Sequence, residues 1–344
     1  MLNYAVIGTG DTGLSIINYL CYKQFNLKKV FDTRTNPPNI QKIENILSNC
    51  NLAVDSVGYH FGTLNYLDFI NIDVVVLSPG VSIYEDTINS LLKNNKKIIG
   101  DIELFALAIN DDNAWQQTKM IAITGSNGKT TVTTLTGYLL QSLDLDVMLA
   151  GNIGEPILDA YLRYITKNIV PDVVVLELSS FQLEVTYSLK LNVATVLNIS
   201  EDHLDRYRNL LEYSYIKDNI FNNSLIQILN HDDILVRSML RKTQQQLYFS
   251  ITKPHYINQN APYYYLLLEN NEYYLMINDK KFVACNDMHL VGIHNYLNSL
   301  VSLALLSSID IAIDTDLIKQ KLLMFNGVAH RMQKIATHNN IIFI

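Results

Sequence analysis

The sequence predicts an α/β protein made of two parallel-sheet domains in succession. Short apolar runs alternate with helical patterns twice along the chain, and each series opens with a strand that leads into a glycine-rich turn. Strands that alternate with helices are typical of parallel sheets with helices on their faces. At roughly 150 residues per domain, the 344 residues suffice for about two domains.

The first series occupies residues 1–111 and is expected to form one domain. Its strands are predicted at residues 4–7, 29–31, 74–77 and 98–99, and its helices at residues 14–22 and 86–94. The polar run Asn110-Asp111-Asp112-Asn113 is prone to form turns, so it marks the boundary with the next domain.

The second series spans residues 112–325. Apolar strands are predicted at residues 120–124, 173–176, 193–197 and 226–229, with a helix over residues 129–140. Alternating runs at residues 263–268, 273–277 and 281–284 then predict a small antiparallel sheet, and helices follow at residues 295–307 and 316–323. Strand-like runs at residues 334–336 and 341–344 indicate the opening hairpin of a further domain, of which residues 326–344 would be a remnant.

Composition limits the class of protein. Lysine and arginine number 26 against 33 aspartates and glutamates, so the formal net charge is −7, whereas a general nucleic-acid binder normally carries a basic surplus. With 49% hydrophobic residues, the chain can bury a sizeable core. The three cysteines are widely separated, no secretory signal is visible, and no apolar run approaches the length of a membrane span. We therefore expect a soluble, cytoplasmic protein that binds neither nucleic acid nor membrane. We also expect a monomer, although composition does not determine the oligomeric state.

The first glycine-rich turn, residues 8–13, has the form G-x-G-x-x-G between a strand and a helix. Glycines at these positions allow a pyrophosphate to approach the helix N-terminus. Asp32 ends the next strand, about 20 residues further on, as in a dinucleotide site. The adjacent Arg34 would suit a phosphate or a sugar-phosphate. The residues alone leave three interpretations open: another nucleotide diphosphate, NAD or FAD, and a purely structural turn.

The second glycine-rich turn indicates a phosphate-binding site more specifically than the first turn does. Residues 124–131, Thr-Gly-Ser-Asn-Gly-Lys-Thr-Thr, follow an apolar strand and open a helix. Backbone N–H groups there can hold phosphate oxygens, Lys129 can reach the β- and γ-phosphates, and Thr130 can ligate Mg²⁺. The loop is shorter than an ordinary G-x-x-x-x-G-K-[ST] loop.

Acidic residues and a histidine follow the next strands. Glu177 ends a buried strand, where ligands of parallel sheets bind, so it could hold Mg²⁺ with Thr130; it could also be an acid that stabilises a helix N-terminus. His203 lies in an acidic cluster after the following strand and could ligate a second metal. On composition alone, Lys217 has the pattern of a solvated helix lysine.

These segments together resemble the Mur ligase family of peptidoglycan synthesis, and the similarity spans essentially the whole chain. The stretches that carry the resemblance are residues 32–34, 78–80, 100–105 (Gly-Asp-Ile-Glu-Leu-Phe), 123–135, 151–154, 177–184 (Glu-Leu-Ser-Ser-Phe-Gln-Leu-Glu), 201–207, 294–298 and 330–331. The segment 177–184 and the triplet Asp-Thr-Arg at 32–34 favour the branch of the family that adds D-glutamate.

The resemblance implies an ATP-dependent amide ligase that joins D-glutamate to UDP-N-acetylmuramoyl-L-alanine through an acyl phosphate. The first domain would be a Rossmann-like module that binds the UDP of the substrate, not NAD, and the second a P-loop-type ATPase domain. The implied substrate-binding residues are Thr12, Asp32, Thr33, Arg34, Ser78, Asn152, Ser179 and Gln182. The implied ATP-binding residues are Gly125, Ser126, Asn127, Gly128, Lys129, Thr130, Thr131, Asn295 and Arg331.

Two Mg²⁺ ions are also implied by the resemblance. Thr130 and Glu177 match the ligands of the first ion, and His203 and Lys217 match those of the second. The family's lysine is N-carbamylated, which fits because an ammonium group has only donors and cannot ligate a cation. The implied catalytic residues are Lys129, Glu177, His203 and Lys217.

The family has a third, C-terminal domain that brings the amino-acid-binding groups. Because only residues 326–344 match its beginning, we expect a chain that is truncated and catalytically impaired. The alternatives are a nucleotide-binding relative without turnover, a Mur ligase that adds L-alanine or a diamino acid, and a relative of folylpolyglutamate synthase. A nicotinamide oxidoreductase would leave the second glycine turn unexplained.

Overall fold

The computed structural model describes residues 1–50, 56–255 and 261–327, and the two short strands at 336–338 and 341–343. Two compact units make up the chain. Unit 1 comprises Met1–Gln116, Gly154–Val170 and Ser180–Leu189, and unit 2 comprises Gln117–Ile153, Pro171–Ser179 and Lys190–Ile344. Unit 1 therefore includes two segments that lie beyond the predicted domain boundary at residue 111.

The elements confirm the predicted α/β class. The strands are β1 (Asn3–Ile7), β2 (Asn26–Asp32), β3 (Gly58–Phe61), β4 (Val74–Leu77), β5 (Lys97–Ile99), β6 (Lys119–Thr124), β7 (Val147–Gly151), β8 (Val173–Glu177), β9 (Leu191–Val196), β10 (Ser224–Asn230), β11 (Gln245–Ser250), β12 (Tyr263–Glu269), β13 (Glu272–Ile277), β14 (Lys280–Ala284), β15 (Ala336–His338) and β16 (Ile341–Phe343). The helices are α1 (Asp11–Tyr22), α2 (Ile40–Asn49), α3 (Asp86–Lys93), α4 (Asp101–Asn110), α5 (Lys129–Gln141), α6 (Ile157–Thr166), α7 (Ser180–Leu183), α8 (Leu210–Asp218), α9 (Ile234–Ser238), α10 (Ile293–Ser307) and α11 (Thr315–Met324).

Unit 1 is built on a five-stranded parallel sheet in the order β3-β2-β1-β4-β5. Its central strands are apolar on both faces, because helices cover them: Val74–Leu77 is buried throughout. The later segments complete the helical layer, since Tyr161 of α6 packs against Tyr19 of α1 and Phe105 of α4. Three aromatic rings from three helices thus form one apolar contact.

The first glycine turn packs β1 against α1 without room for side chains. Gly8 has φ +97°, and a Cβ there would lie 2.7 Å from the Cβ of Ser78. A Cβ on Gly13, in α1, would lie 1.8 Å from the Gly8 carbonyl oxygen. The glycines therefore allow β1 and α1 to pack closely, whether or not they also allow a ligand to approach.

Unit 2 contains a nine-stranded sheet in the order β14-β13-β12-β11-β10-β9-β6-β8-β7. Strands β6 to β12 pair in parallel, and β12, β13 and β14 pair antiparallel. The antiparallel strands predicted after residue 262 are present, and they extend the parallel sheet. Helices α5, α10 and α11 pack together over the sheet, around Leu135, Leu139 and Leu300. The hydrophobic core of the unit lies between these helices and the strands.

The last described strands, β15 and β16, pair antiparallel as a hairpin, and residues 328–335 between α11 and the hairpin lie outside the described residues. Among the described helices, none is long and apolar enough to cross a membrane.

Gly13→Ala is expected to destabilise unit 1 by about 2–4 kcal/mol, because the new methyl group overlaps the backbone of Gly8. Gly10→Ala is the matched control, since nothing lies within 4 Å of its Cβ, and its cost should stay below about 1 kcal/mol. Urea unfolding followed by circular dichroism measures both. Equal stability of the two variants would contradict the packing described for this turn.

Candidate functional site

In unit 1, Asp32 organises the loop that follows β2. Its Oδ2 accepts hydrogen bonds from the Thr9 N–H and Oγ1, each at 2.8 Å, and from Arg34 at 2.7 Å. Its Oδ1 accepts from the Arg34 N–H at 3.0 Å and Nε at 2.8 Å. Burial raises the pKa of this carboxyl group, but the hydrogen bonds from Arg34 and Thr9 outweigh burial and hold the pKa well below its usual range. Asp32 is therefore a buried anion that fixes two neighbouring segments.

The other predicted UDP-site residues surround this loop. Thr12 lies half-buried in the first turn of α1, and Ser78 is buried directly after β4. Thr33 and Arg34 are exposed, and the Arg34 side chain keeps about half of its surface open to solvent while its guanidinium pairs with Asp32. The exposed cation and the N-terminus of α1 give this edge of the sheet a surface suited to phosphate.

In unit 2, the second glycine turn follows β6 and is tightly packed. Gly125 has φ +154° and Gly128 has φ +87°, and a Cβ on either would approach a neighbouring side chain to less than 3 Å. The Ser126 N–H donates to the Asn198 carbonyl oxygen at 3.0 Å, and the Asn127 N–H donates to its Oδ1 at 2.9 Å. Because Asn198 uses these two amides, a phosphate would have to bind mainly at the first N–H groups of α5, at Lys129, Thr130 and Thr131.

Two lysines converge on one carbonyl oxygen of this turn. Lys129 Nζ donates to the Gly125 carbonyl oxygen at 2.8 Å and to that of Ser126 at 2.9 Å. Lys217 Nζ donates to the same Gly125 oxygen at 3.0 Å and to Thr124 Oγ1 at 3.1 Å. Burial, and then the charge of Lys129, lower the pKa of Lys217 to about 7. The composition-based expectation of a solvated lysine is wrong, because Lys217 is 1% exposed.

Glu177 ends β8 beside the turn and is also buried. Asn152 holds it from one side, through Nδ2 to Oε1 at 3.1 Å and through its N–H to the Glu177 carbonyl oxygen at 2.7 Å. Oε2 is buried without a hydrogen-bond partner among the described residues. Gly151 makes this approach possible, since a Cβ there would lie 2.2 Å from the Glu177 carbonyl oxygen. A buried carboxylate oxygen without a partner is a candidate ligand for a cation.

His203 and Lys217 share a neighbour that sequence reasoning missed. The buried Tyr213 ring lies 6.4 Å from the His203 ring, and its centroid is 4.7 Å from Lys217 Nζ. Ser126 Oγ donates to the Tyr213 hydroxyl oxygen at 3.4 Å. Burial raises the pKa of Tyr213 to about 12. The spacing of Tyr213 and Lys217, one helical turn apart on α8, was the available signal.

A cavity of about 200 Å³ opens beside the second glycine turn. It is lined by Asn127, Gly128, Leu197, Asn198, Asn230, Phe249, His294, Leu297, Asn298 and Val301. Asn295, predicted to approach ATP, is buried next to this lining and donates to the Val291 carbonyl oxygen at 2.9 Å. Arg331 lies outside the described residues.

The predicted muramoyl-site residues are divided between the units. Asn152 and Ser179 belong to unit 2, and Gln182 belongs to unit 1. Gln182 is buried and donates from Nε2 to Asp101 Oδ2 at 3.1 Å.

Among the described residues, no three His, Cys, Asp or Glu side chains converge as a metal site. Mg²⁺ commonly binds one or two carboxylates together with substrate phosphates and water, so a lone carboxylate oxygen such as Glu177 Oε2 fits that cation only when a phosphate is present. In unit 2, two lysines, a strand-end carboxylate and a helix N-terminus thus surround a place suited to a polyphosphate with its cation.

Asp32→Asn is expected to lower the free energy of unfolding by about 2 kcal/mol at pH 7, because it weakens charge-assisted hydrogen bonds to Thr9 and Arg34. Since the folded-state pKa is lowered, this stabilisation is present above about pH 4 and is lost as the pH falls further. Urea unfolding from pH 7 to pH 3 should show the gap between variant and wild type narrowing. The exposed Asp111→Asn is the control, and a gap for Asp32→Asn that is equally wide at every pH would contradict this account.

Comparison with known proteins identifies the family. Residues 123–306 match the Mur ligase middle domain, and residues 2–100 match the Mur ligase MurD-like N-terminal domain. The chain is 39% identical to the UDP-N-acetylmuramoylalanine–D-glutamate ligase of Nitrosomonas eutropha, over 99% of this chain and 71% of that protein. It is 40% identical to the enzyme of the same name from Nitrosomonas europaea, over 98% of this chain and 69% of that protein.

A solved structure shares the fold. The pseudomurein peptide ligase type C of Methanothermus fervidus matches with a TM-score of 0.53 and 21% identity, over 99% of this chain and 74% of that one. By the match to the middle domain and by identity to the two curated ligases, the chain belongs to the Mur ligase family.

Proposed function

We propose that the protein is an ATP-dependent ligase that joins D-glutamate to UDP-N-acetylmuramoyl-L-alanine in peptidoglycan synthesis. The observation that carries the proposal is the pair of lysines on the Gly125 carbonyl oxygen beside the buried Glu177 carboxylate. Cations and a carboxylate in this arrangement suit the transfer of a phosphoryl group. The similarity to curated D-glutamate ligases supports the identity of the substrates.

Unit 1 would bind the UDP end of the substrate. The N-terminus of α1, with Thr12, and the exposed Arg34 favour a diphosphate. Asp32 is occupied by Thr9 and Arg34, so its role would be to hold the loop, with Thr33 and Ser78 available to the nucleotide. NAD is disfavoured, because Asp32 has no oxygen left to bind a ribose hydroxyl without breaking these bonds.

Unit 2 would bind ATP. The triphosphate would lie against residues 125–131, with Lys129 moving from the carbonyl oxygens of the loop to the phosphates. The cavity lined by Phe249, His294 and Asn298 would take the adenine, since it combines apolar walls with amide groups. Thr130 and Glu177 would hold one Mg²⁺, which when bound neutralises phosphate charge.

The reaction has two steps, transfer of a phosphoryl group and then formation of an amide. The substrate carboxylate oxygen attacks the γ-phosphorus of ATP, and the bond between that phosphorus and the β-phosphate oxygen breaks. ADP departs, and the substrate now carries an acyl phosphate. The amine of D-glutamate then attacks the acyl carbon, an amide forms, the amine releases a proton and inorganic phosphate departs. Lys129 stabilises the charge that develops on the transferred phosphoryl group, and the closely packed loop keeps the phosphates in position.

Lys217 would act as its carbamate. A neutral amine is the species that adds CO₂, and burial supplies it near neutral pH by lowering the pKa of Lys217 to about 7. As an oxygen-bearing anion, the side chain could hold a second Mg²⁺ with His203, and the neighbouring Lys129 ammonium would then face an opposite charge. We also propose that the reaction takes place in the cytoplasm, where ATP is available.

The ligase reaction is tested by incubating the chain with ATP, Mg²⁺, UDP-N-acetylmuramoyl-L-alanine and D-glutamate, with mass spectrometry of the products. We expect a D-glutamyl product that is lost in Lys129→Met, by at least about 100-fold, because charge stabilisation at the transferred group disappears. Lys242→Met, at an exposed surface lysine, is the control. A product only with L-alanine or a diamino acid would assign a sibling activity. Binding of both nucleotides without any product would favour the non-catalytic relative.

The carbamate is tested by carbon-13 NMR in labelled bicarbonate. We expect a protein-bound carbamate signal at pH 8 that Lys217→Arg lacks and Lys242→Met retains. The signal should decline toward pH 6, because the amine becomes protonated as the pH falls through its pKa of about 7. A signal of equal strength in Lys217→Arg would place the carbamate on another amine.

A further inference from the structure

The side chain of Asn198, two residues after β9, binds both backbone groups of one residue in the second glycine turn. Its Oδ1 accepts from the Asn127 N–H at 2.9 Å, and its Nδ2 donates to the Asn127 carbonyl oxygen at 3.1 Å. Only this orientation of the carboxamide satisfies both contacts, because the reverse would bring two acceptors together and two donors together. Both residues belong to unit 2.

These two contacts are not required to hold the segments together. The Ser126 N–H already donates to the Asn198 carbonyl oxygen at 3.0 Å, and the Ser200 N–H donates to Ser126 Oγ at 3.0 Å. Asn127 is exposed and Asn198 is half-buried, so water could satisfy the same groups of Asn127. The carboxamide therefore contributes something other than adhesion, which is the orientation of the peptide group that follows Asn127.

The peptide group between Asn127 and Gly128 is held in one orientation. A trans peptide directs its C=O and its N–H to opposite sides, and no cis peptide occurs in the part of the chain that the structure describes. With its carbonyl oxygen bound to Asn198, this peptide turns the Gly128 N–H away from Asn198. No described residue accepts a hydrogen bond from that N–H. Gly128 is half-buried and lines the cavity beside the turn.

Glycine at position 128 makes this orientation easy to lose. The φ of Gly128 is +87°. A flip of the peptide would bring this φ to about −90°, which glycine adopts as readily. The flipped peptide would present the Asn127 carbonyl oxygen where the N–H now lies, and an oxygen repels a phosphate that an N–H would bind. A contact that selects one orientation is therefore of value here, and Asn198 supplies it.

We propose that Asn198 is a positioning residue for phosphate binding: its carboxamide holds the Asn127–Gly128 peptide so that the Gly128 N–H is available to a nucleotide phosphate. The inference rests on the proposed function, in which residues 125–131 bind the triphosphate of ATP. It adds the Gly128 N–H to the first N–H groups of α5 as a contact for that triphosphate.

Calorimetric titration of the full chain with Mg²⁺-ATP and, separately, with adenosine tests the inference. Asn198→Ala should weaken ATP binding about tenfold, as expected for loss of a hydrogen bond to a charged group, and should leave adenosine affinity within about twofold. Asn192→Ala is the matched control, because Asn192 lies on β9 and accepts from the Met120 N–H at 2.7 Å, at the opposite end of β6. It should leave both affinities unchanged, and thermal unfolding checks that each variant is folded.

The Gly128 N–H can also be observed directly by NMR. The sequence contains two Asn-Gly pairs, at residues 127–128 and 326–327. Labelling asparagine carbonyl carbons with carbon-13 and glycine nitrogens with nitrogen-15 therefore selects two amide signals, and Gly327→Ala removes one of them and so assigns the other. In the wild type, Mg²⁺-ATP should move the Gly128 signal further than adenosine does. In Asn198→Ala, the two ligands should move it equally.

The outcomes separate this inference from the proposed function. Equal loss of ATP and adenosine affinity in Asn198→Ala would assign Asn198 to the adenine pocket and overturn the inference. A wild-type Gly128 signal that ATP and adenosine move equally would also overturn it, whether or not the variant folds. A wild type that binds ATP no more tightly than adenosine would overturn the proposed phosphate site and the inference together. If the wild type prefers ATP and Asn198→Ala prefers it equally, only the inference is wrong.

Discussion

The parallel pairing of β6 with β8 and β9 is the constraint on which the arrangement of unit 2 depends. Ile123 pairs with Glu177, and Thr124 pairs with Val196, so three strands end at the same level of the sheet. The glycine turn, the carboxylate and the Asn198 segment follow these strand ends directly. Since successive side chains of a strand point to opposite faces, a slip of β8 by one residue would carry Glu177 away from the turn.

The charges at this edge of the sheet are unfavourable for stability and favourable for binding an anion with its cation. Whenever Lys217 is protonated, its ammonium group and that of Lys129 repel each other at the Gly125 oxygen. The burial of Glu177 with one unpartnered oxygen adds a second unfavourable element. Both would be relieved by a ligand that brings anionic oxygens and a cation together. Strain of this kind, distributed over a site, is typical of places built for a charged ligand.

Sequence patterns predicted the parts of the molecule that local chemistry determines. The strand, glycine turn and helix at residues 119–141 were predicted almost to the residue, because glycines, an apolar strand and a helix start coincide there. The edge strand β3 was not predicted, since its residues are only partly buried and depend on pairing with β2. Neither was α6, which is defined by its packing on other helices of unit 1.

The surroundings of individual side chains were harder to predict from the sequence than the helices and strands. The burial of Lys217 follows from helix α8 lying beside the glycine turn, a contact across about ninety residues that composition cannot reveal. The position of Asp32 was predicted, but not that Thr9 and Arg34 would occupy its oxygens. Both cases depend on which neighbours the fold brings to a side chain.

The division of the chain has a consequence for the order in which the protein can fold during synthesis. The backbone passes between the two units five times, at residues 116, 153, 170, 179 and 189. Strands β1 to β5 leave the ribosome early, but α6 and the segment after Ser180 emerge only after the first segment of unit 2, Gln117–Ile153, has been made. Until then Tyr19 and Phe105 lack their contacts with the Tyr161 ring. The N-terminal unit is thus expected to complete its packing late, and a nascent chain of about 110 residues would be a natural client for chaperones.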